Sequence, residues 1–424
     1  MPKQKTASKV DFGIKSDIHH LEKRIQANLR RFEGEFSPEF YKLVLKYCDA
    51  MTLDSVSNAV KDKHLTCLLT LSRLLETKWE KATKADIQKL VIKFMSKYSK
   101  TGQETHTTQD FKKVVKIFVR WLKTGERRKN SDKVDPQEIR WIRINRVKDQ
   151  IAREDLITED ELTRMIHACG GSLRDRALIA THYDAGSRAG EVLTLQIKHV
   201  VFDQNGAMIK VSGKTGARPI RIIRSSIHLR AWINSHQFKD NLEAPLWINQ
   251  SKHKYGQQLS YAGANRTLKE IAQRAGITKR IYFHLFRHSQ VTKTSSFMTE
   301  AQQKIRYGWS SSSKMPGRYS HLTISDIDDA LLSHYGIKTD EVKPKEAQKC
   351  PFCEEINSAN EEYCNSCHKP LDIRAAYEME TNEHKEIKNL QDQLKELKDN
   401  LPQIIAQAIQ RAKGDLVQEK WSVA

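Results

Sequence analysis

The segment CPFCEEINSANEEYCNSCHKP separates the pair Cys350 and Cys353 from the pair Cys364 and Cys367 by ten residues. Two C-x-x-C units at this spacing bring four thiolates to one tetrahedral point, as a structural zinc ion requires. All four ligand places are then filled, so the expected metal holds a small fold and does no chemistry. His368 follows directly and is read as a bystander. The remaining cysteines, Cys48, Cys67 and Cys169, lie scattered in apolar-periodic segments and read as ordinary buried thiols.

Charge narrows the choice of partner. The 424 residues include 72 Lys and Arg against 52 Asp and Glu, a net charge of +20, with the excess recurring along most of the chain. A polyanion is the natural partner, with DNA or RNA favoured over a membrane surface. No apolar run approaches the roughly 18 residues that a membrane span needs, and the opening MPKQKTASKVDFG lacks the apolar stretch of a secretion signal. The expected location is the cytoplasm, in association with the nucleoid. The length exceeds that of one ordinary domain, so two or three are expected.

Periodicity divides the chain further. Residues 1–17 are basic and non-periodic, as in a mobile arm. Residues 18–127 read as helical throughout. Thr83 and Asp86 open TKADIQKLVIKFM with a capping box, and Ile87, Leu90, Val91 and Phe94 share one face. A later helix carries an apolar stripe through Phe111, Val114, Val115, Phe118 and Leu122. Its other face bears Lys112, Lys116, Arg120 and Lys123, which could be solvated surface or a DNA-facing strip. Residues 128–155 are charge-dense and weakly periodic, suiting an exposed basic linker. A second folded unit, 156–340, starts at LITEDELTRMI with Thr158 and Glu161 as its capping box. Within it MIKVSG and RPIRII read as two strands around KTGA, with Lys214 at the hairpin tip. The zinc segment, 346–372, follows. In residues 376–424, Ile387, Leu390, Leu394, Leu397, Leu401, Ile404 and Ala408 then step by three and four, a coiled-coil spacing that Pro402 interrupts. The fold class is mainly α with a small antiparallel β-sheet.

What chemistry could the second unit perform on a polyanion? A side chain that cuts a phosphodiester needs cations on the non-bridging oxygens, and the planar arginine fork suits two of them. A tyrosine hydroxyl, with an ordinary pKa near 10, needs such cations or a base to lose its proton. The leaving 5′ oxygen needs a proton from lysine or histidine. These residue types occur in order: Arg188 in AGSRAGEVLTL, Lys214 in VSGKTGARPIRI, His284 and Arg287 in HLFRHS, Trp309 in YGWS and Tyr319 in GRYSHL.

At these six positions the chain resembles the tyrosine recombinase, or phage integrase, family. That family's pattern is G-x-R-x-x-E-x-x-x-L, a hairpin lysine, H-x-x-R, a His or Trp after glycine, and a tyrosine about ten residues on. The resemblance implies a helical core-binding domain of the SAM-like kind over 18–127 and an α+β catalytic domain over 156–340, together forming a clamp on duplex DNA. It implies that Tyr319 attacks the scissile phosphate to give a 3′-phosphotyrosyl link, with no cofactor in the chemistry. Arg188 and Arg287 then clamp the phosphate, Lys214 protonates the leaving oxygen, His284 handles the tyrosine proton, and Trp309 donates its N–H or buttresses the site. Glu191 is expected to orient Arg188, while His288 and His321 are supporting neighbours and Tyr307 is a decoy. Four protomers are expected to join two duplexes as a homotetramer. The zinc module and heptad helix stand outside the family pattern. Two competing readings are a type IB topoisomerase-like enzyme and a non-catalytic zinc-containing DNA-binding regulator on a recombinase scaffold.

Overall fold

The structure is a computed structural model that describes residues 18–99, 101–129, 134–145, 147, 153–213, 215–319, 331–332, 335, 347–350, 352–353 and 355–421. The expected arm over 1–17 lies outside them, as do Lys214 and His321. The chain divides into two compact units, one spanning Asp17–Arg153 and the other running from Glu154 onward.

The first unit is built from α1 (Leu21–Glu35), α2 (Pro38–Leu53), α3 (Asn58–Leu74), α4 (Lys84–Tyr98) and α5 (His106–Thr124). Local chemistry sets the helix boundaries. Ser37 caps α2 ahead of Pro38, whose missing N–H costs nothing in a first turn. Thr83 and Asp86 close the expected capping box of α4, and Gly125 ends α5 at φ 73°. Phe118 of α5 meets Tyr47 and Trp79 edge-on, with ring centroids 5.0 and 5.1 Å away, so α5 is the hub of this core.

The basic face of α5 corrects the idea of a DNA-facing strip. Lys112 pairs with Glu104, Lys116 and Arg120 both reach Asp135, at 3.5 and 2.7 Å, and Lys123 lies 3.8 Å from Glu138. Ile139 and Ile142 are buried in the same core. Residues 134–145 therefore pack on α5, although they fall in the stretch expected to be an exposed linker. The charges of α5 serve to hold that segment.

The second unit contains α6 (Glu159–Ala168), α7 (Leu173–Ala185), α8 (Ala189–Leu193), β1 (Val200–Asp203), β2 (Gly206–Gly213), β3 (Gly216–Ile222), α9 (Ser226–Ser235), α10 (Tyr261–Arg274), α11 (Phe283–Thr294) and α12 (Glu300–Tyr307). Helix α7 is buried nearly all round, which explains why its residues show no polar face to read. The sheet is antiparallel in the order β1-β2-β3, with Ile209 opposite Ile220 and Ala207 opposite Ile222. The β2–β3 hairpin forms where expected. Strand β1 adds a third partner that the four residues VVFD do not announce. Mainly helical structure with one small antiparallel sheet agrees with the expected fold class.

A two-stranded ribbon, β4 (Gln348–Lys349) and β5 (Ile356–Asn357), then carries the cysteines and leads into α13 (Ile373–Trp421). The ribbon sits against α9: the Phe352 ring lies 6.4 Å from that of His228, and Arg230 stands between Phe202 and Tyr377 at 4.4 and 5.7 Å. Helix α13 continues through Pro402, which the sequence pattern expects to interrupt it. Ile387, Leu390, Leu394, Leu397 and Leu401 are all exposed along it. The side chains of Ile404 and Ala408 lie outside the described residues. No helix among the described residues is long and apolar enough to cross a membrane.

Candidate active site

Arg188 owes its position to a glycine. Gly186 ends α7 at φ 56°, and a Cβ there would stand 2.8 Å from the Tyr307 ring, so only glycine lets the chain turn at this point. Arg188 then caps α8. Glu191, three residues on, accepts hydrogen bonds from the Arg188 main-chain N–H at 3.0 Å and from its Nη1 at 2.9 Å. The Arg218 guanidinium of β3 grips the same carboxylate at 3.1 and 2.8 Å and anchors its Nε–H on the Arg306 carbonyl. Glu191 is only 2% exposed. Burial alone would raise its pKa, but the Arg218 and Arg188 hydrogen bonds outweigh this and hold it below the ordinary carboxylate value.

Arg287 comes from α11 and is itself 2% exposed. Among the described residues, its hydrogen bonds go to two main-chain carbonyls, Gly186 at 3.2 Å and Tyr307 at 2.8 Å. The Trp309 ring lies 5.2 Å from its Cζ. Burial, and then the neighbouring Arg188, lower its pKa to about 10, which leaves it charged at neutral pH. Neutral carbonyls solvate the cation without cancelling its charge. Arg188, Arg218 and Arg287 together bring three positive charges to the vicinity of one carboxylate, so the cluster carries a net positive charge suited to an anion. His284, one turn before Arg287 along the same helix, has its pKa lowered by burial and then by Arg287 and Arg188, which favours the neutral imidazole.

The fourth side of the site follows α12. Gly308 ends that helix at φ 60°, and its carbonyl accepts from Arg188 Nη2 at 3.3 Å and from Thr215 Oγ1 at 3.0 Å. A Cβ at Gly308 would sit 2.6 Å from Arg218 Nη1. Trp309 stacks on Tyr319 with centroids 5.9 Å apart and an interplanar angle of 15°. Its observed contacts are those of a buttress. Tyr319 closes a short 3-10 turn over Pro316–Arg318 and is 7% exposed. Its hydroxyl lies 2.7 Å from Nδ1 of His288. Tyr307, the decoy, is buried in the core with its hydroxyl on Thr294 Oγ1 and the Gln290 carbonyl, at 2.8 and 3.2 Å.

Five of the six expected residues thus gather in one place: Arg188, His284, Arg287, Trp309 and Tyr319. Lys214 lies outside the described residues, but its neighbours flank the site. A Cβ on Gly213 would meet Glu191 Oε1 at 2.3 Å, and Thr215 bonds to Gly308. Two features add to the expected set. Arg218 shares the Glu191 carboxylate, and no local motif marks it because its partner is 27 residues away. His288 meets the tyrosine hydroxyl, where His284 is expected; the i, i+4 relation of the two histidines on α11 is the signal that both face one way.

The four cysteines also converge. Their sulfurs all lie within 4.8 Å of one another, with Cys350 to Cys367 at 3.6 Å and Cys353 to Cys364 at 3.4 Å. Tetrahedral zinc with sulfur at about 2.3 Å calls for sulfurs about 3.8 Å apart, so the donor set fits that ion.

The class that this fold and site define is the phage integrase domain, and the profile of the phage integrase family matches residues 155–326. Tyrosine recombinase XerD of Bifidobacterium longum is 29% identical over 155 residues, which are 32% of this chain and 48% of that protein. XerD of Oceanobacillus iheyensis is 22% identical over 271 residues, covering 61% of this chain and 84% of that protein. The chain thus spans about half the length of the first of these relatives. The Tn1549 transposon integrase, solved in complex with transposon right end DNA, matches in fold with a TM-score of 0.50 at 15% identity, over 68% of this chain and 98% of that one. Over residues 155–326 the chain is thus similar to the phage integrase family.

Proposed function

We propose that the chain is a site-specific DNA recombinase that cuts and rejoins strands through a 3′-phosphotyrosyl intermediate on Tyr319. The observation that carries this reading is the meeting of the Tyr319 phenol with a guanidinium cluster that Glu191 only partly neutralises. A phosphodiester is the anion such a cluster suits. Arg188 and Arg287 hold its non-bridging oxygens and stabilise the charge that grows in the transition state. The tyrosine oxygen bonds to phosphorus as the bond to the 5′ oxygen breaks, and Lys214 gives that oxygen its proton. Trp309 keeps the phenol ring in plane beside Arg287, and His284 lines the site as a neutral imidazole. The ester keeps the energy of the broken bond, so a 5′ hydroxyl from a partner duplex can reverse the step without ATP. No cofactor enters the chemistry.

Duplex DNA as substrate is supported by the net charge of +20. We place this reaction in the cytoplasm, on nucleoid DNA, in a homotetramer spanning two duplexes. The domain division is read as a core-binding unit over 18–127 and a catalytic unit over 156–340. The exposed heptad face of α13 would supply a coiled-coil contact between protomers. Cys350, Cys353, Cys364 and Cys367 would hold one structural zinc ion. A nicked suicide substrate, from which the cut fragment diffuses away, tests the central claim. The native chain should accumulate a covalent protein–DNA adduct and Tyr319→Phe none; no adduct with any DNA the chain binds would favour the regulator reading. Relaxation of supercoils without synapsis of paired sites would favour the topoisomerase reading.

A further inference from the structure

We propose that His288 is the group that takes the Tyr319 proton during strand cleavage and returns it on rejoining. The inference rests on Tyr319 as the nucleophile and assigns a residue outside the six-residue motif to that step.

The geometry is direct. The phenol oxygen and His288 Nδ1 are 2.7 Å apart, a short hydrogen bond, with ring centroids at 5.4 Å. A phenol that donates to Nδ1 requires that atom to carry the lone pair, so the proton of the neutral ring resides on Nε2. On the other side the His284 ring stands edge to face with His288, centroids 4.5 Å apart at 86°. Arg287 precedes His288 on the same helix, so one turn of α11 delivers both a phosphate-binding cation and a proton acceptor. The acceptor therefore moves with the clamp, and the phenol is held between His288 and the stacked Trp309 ring.

The atoms balance as follows. The tyrosine O–H bond breaks and its proton passes to Nδ1, making an imidazolium, while the tyrosine oxygen forms its bond to phosphorus. The bond from phosphorus to the 5′ oxygen breaks, and Lys214 protonates that oxygen. In rejoining, a 5′ hydroxyl gives its proton back to Lys214, the phosphotyrosyl bond breaks, and His288 returns its proton to the phenol oxygen.

The test is single-turnover cleavage of the nicked suicide substrate by the full chain, with the natural 5′ oxygen or with sulfur in its place. A thiolate leaves without a proton, so Lys214→Ala should be restored by sulfur. His288→Ala should form adduct about 100-fold more slowly than the native chain on both substrates, within the range for loss of a proton-transfer group, with DNA binding unchanged. His288→Asn puts a neutral acceptor near the Nδ1 position without a basic nitrogen, and should remain within a few-fold of the alanine variant. Should His288→Ala misfold, the Asn variant alone decides. The proposal is overturned if His288→Asn cleaves at nearly the native rate, which would make the residue a positioning group. It is equally overturned if sulfur restores the His288 variants, which would put the residue on the leaving-group side, or if they cleave faster, which would make the hydrogen bond a restraint on the tyrosine. Failure of the native chain to form any adduct would instead remove the Tyr319 reading, and this inference with it.

Discussion

Glu191→Ala should damage the site more than any neighbouring loss of a single charge, because one buried carboxylate organises two guanidinium groups. Glu191 is 2% exposed, and it accepts two hydrogen bonds from Arg218 and one from the Arg188 side chain, besides the Arg188 main-chain N–H. Arg218 has 10% of its side chain exposed, so without Glu191 its one remaining hydrogen-bond partner among the described residues is the Arg306 carbonyl. Breaking a buried pair by removing one partner costs about 3–5 kcal/mol, and the whole effect should fall near that range because the individual hydrogen bonds are not additive. Thermal or denaturant unfolding of the full chain, followed by tryptophan fluorescence, reads the loss. Since the folded-state pKa of Glu191 lies below its ordinary 4.5, its contribution is fully present above that pH and is lost as pH falls through the lower, folded value. The gap in stability between the native chain and Glu191→Gln should accordingly close on acidification below about pH 4.5. Covalent adduct should fall by at least about tenfold, while binding to non-specific DNA holds or rises, because a negative charge has been removed. A Glu191→Ala protein within about 1 kcal/mol of native stability, with native cleavage, would refute the view that this carboxylate sets the arginines.

Three further outcomes follow from the same contacts. Gly308→Ala should cost at least about 1–2 kcal/mol from its left-handed backbone alone and should push Arg218 off Glu191, so both melting temperature and adduct yield should drop. Metal analysis of the purified chain should find about one zinc per chain, and Cys364→Ser should lower that content and expose the 347–372 segment to protease, leaving the Asp17–Arg153 unit intact. Changing Leu394 and Leu397 to Asp should weaken association of the chain, read by light scattering with and without paired DNA sites, without lowering cleavage at a single site.

Where the sequence was legible, a few consecutive residues held the relevant physics. Thr83 with Asp86 and Thr158 with Glu161 cap helices at the expected places, since a capping box spans only four positions. Arg188 with Glu191, the β2–β3 hairpin and the two C-x-x-C pairs are legible for the same reason. The misses arise where a partner is distant. The basic face of α5 has the pattern of an open cationic strip until Asp135 and Glu138 fold back onto it. Local charge pattern cannot distinguish a lysine that awaits a phosphate from one that has found a carboxylate. Strand β1 is four residues long and depends on β2 for its hydrogen bonds, so it has little signature of its own.

The same distinction separates the residues of the site. Arg188 and Arg218 share one carboxylate, yet only Arg188 stands in a motif with it, because Glu191 lies three residues from Arg188 and 27 from Arg218. Arg287 shows the difference in energy: it is buried, and among the described residues its hydrogen bonds go to carbonyls and not to a carboxylate, so its charge is only partly offset by the nearby Glu191. Evolution of a purely structural core would have supplied it a carboxylate or replaced it with an apolar side chain, since a buried cation without a counter-charge is costly. Glu191 could have been that counter-charge, but two other guanidinium groups already occupy it. On the proposed reading, a phosphate beside the Tyr319 hydroxyl would bring a negative charge to Arg287, whose hydrogen bonds among the described residues go to neutral carbonyls.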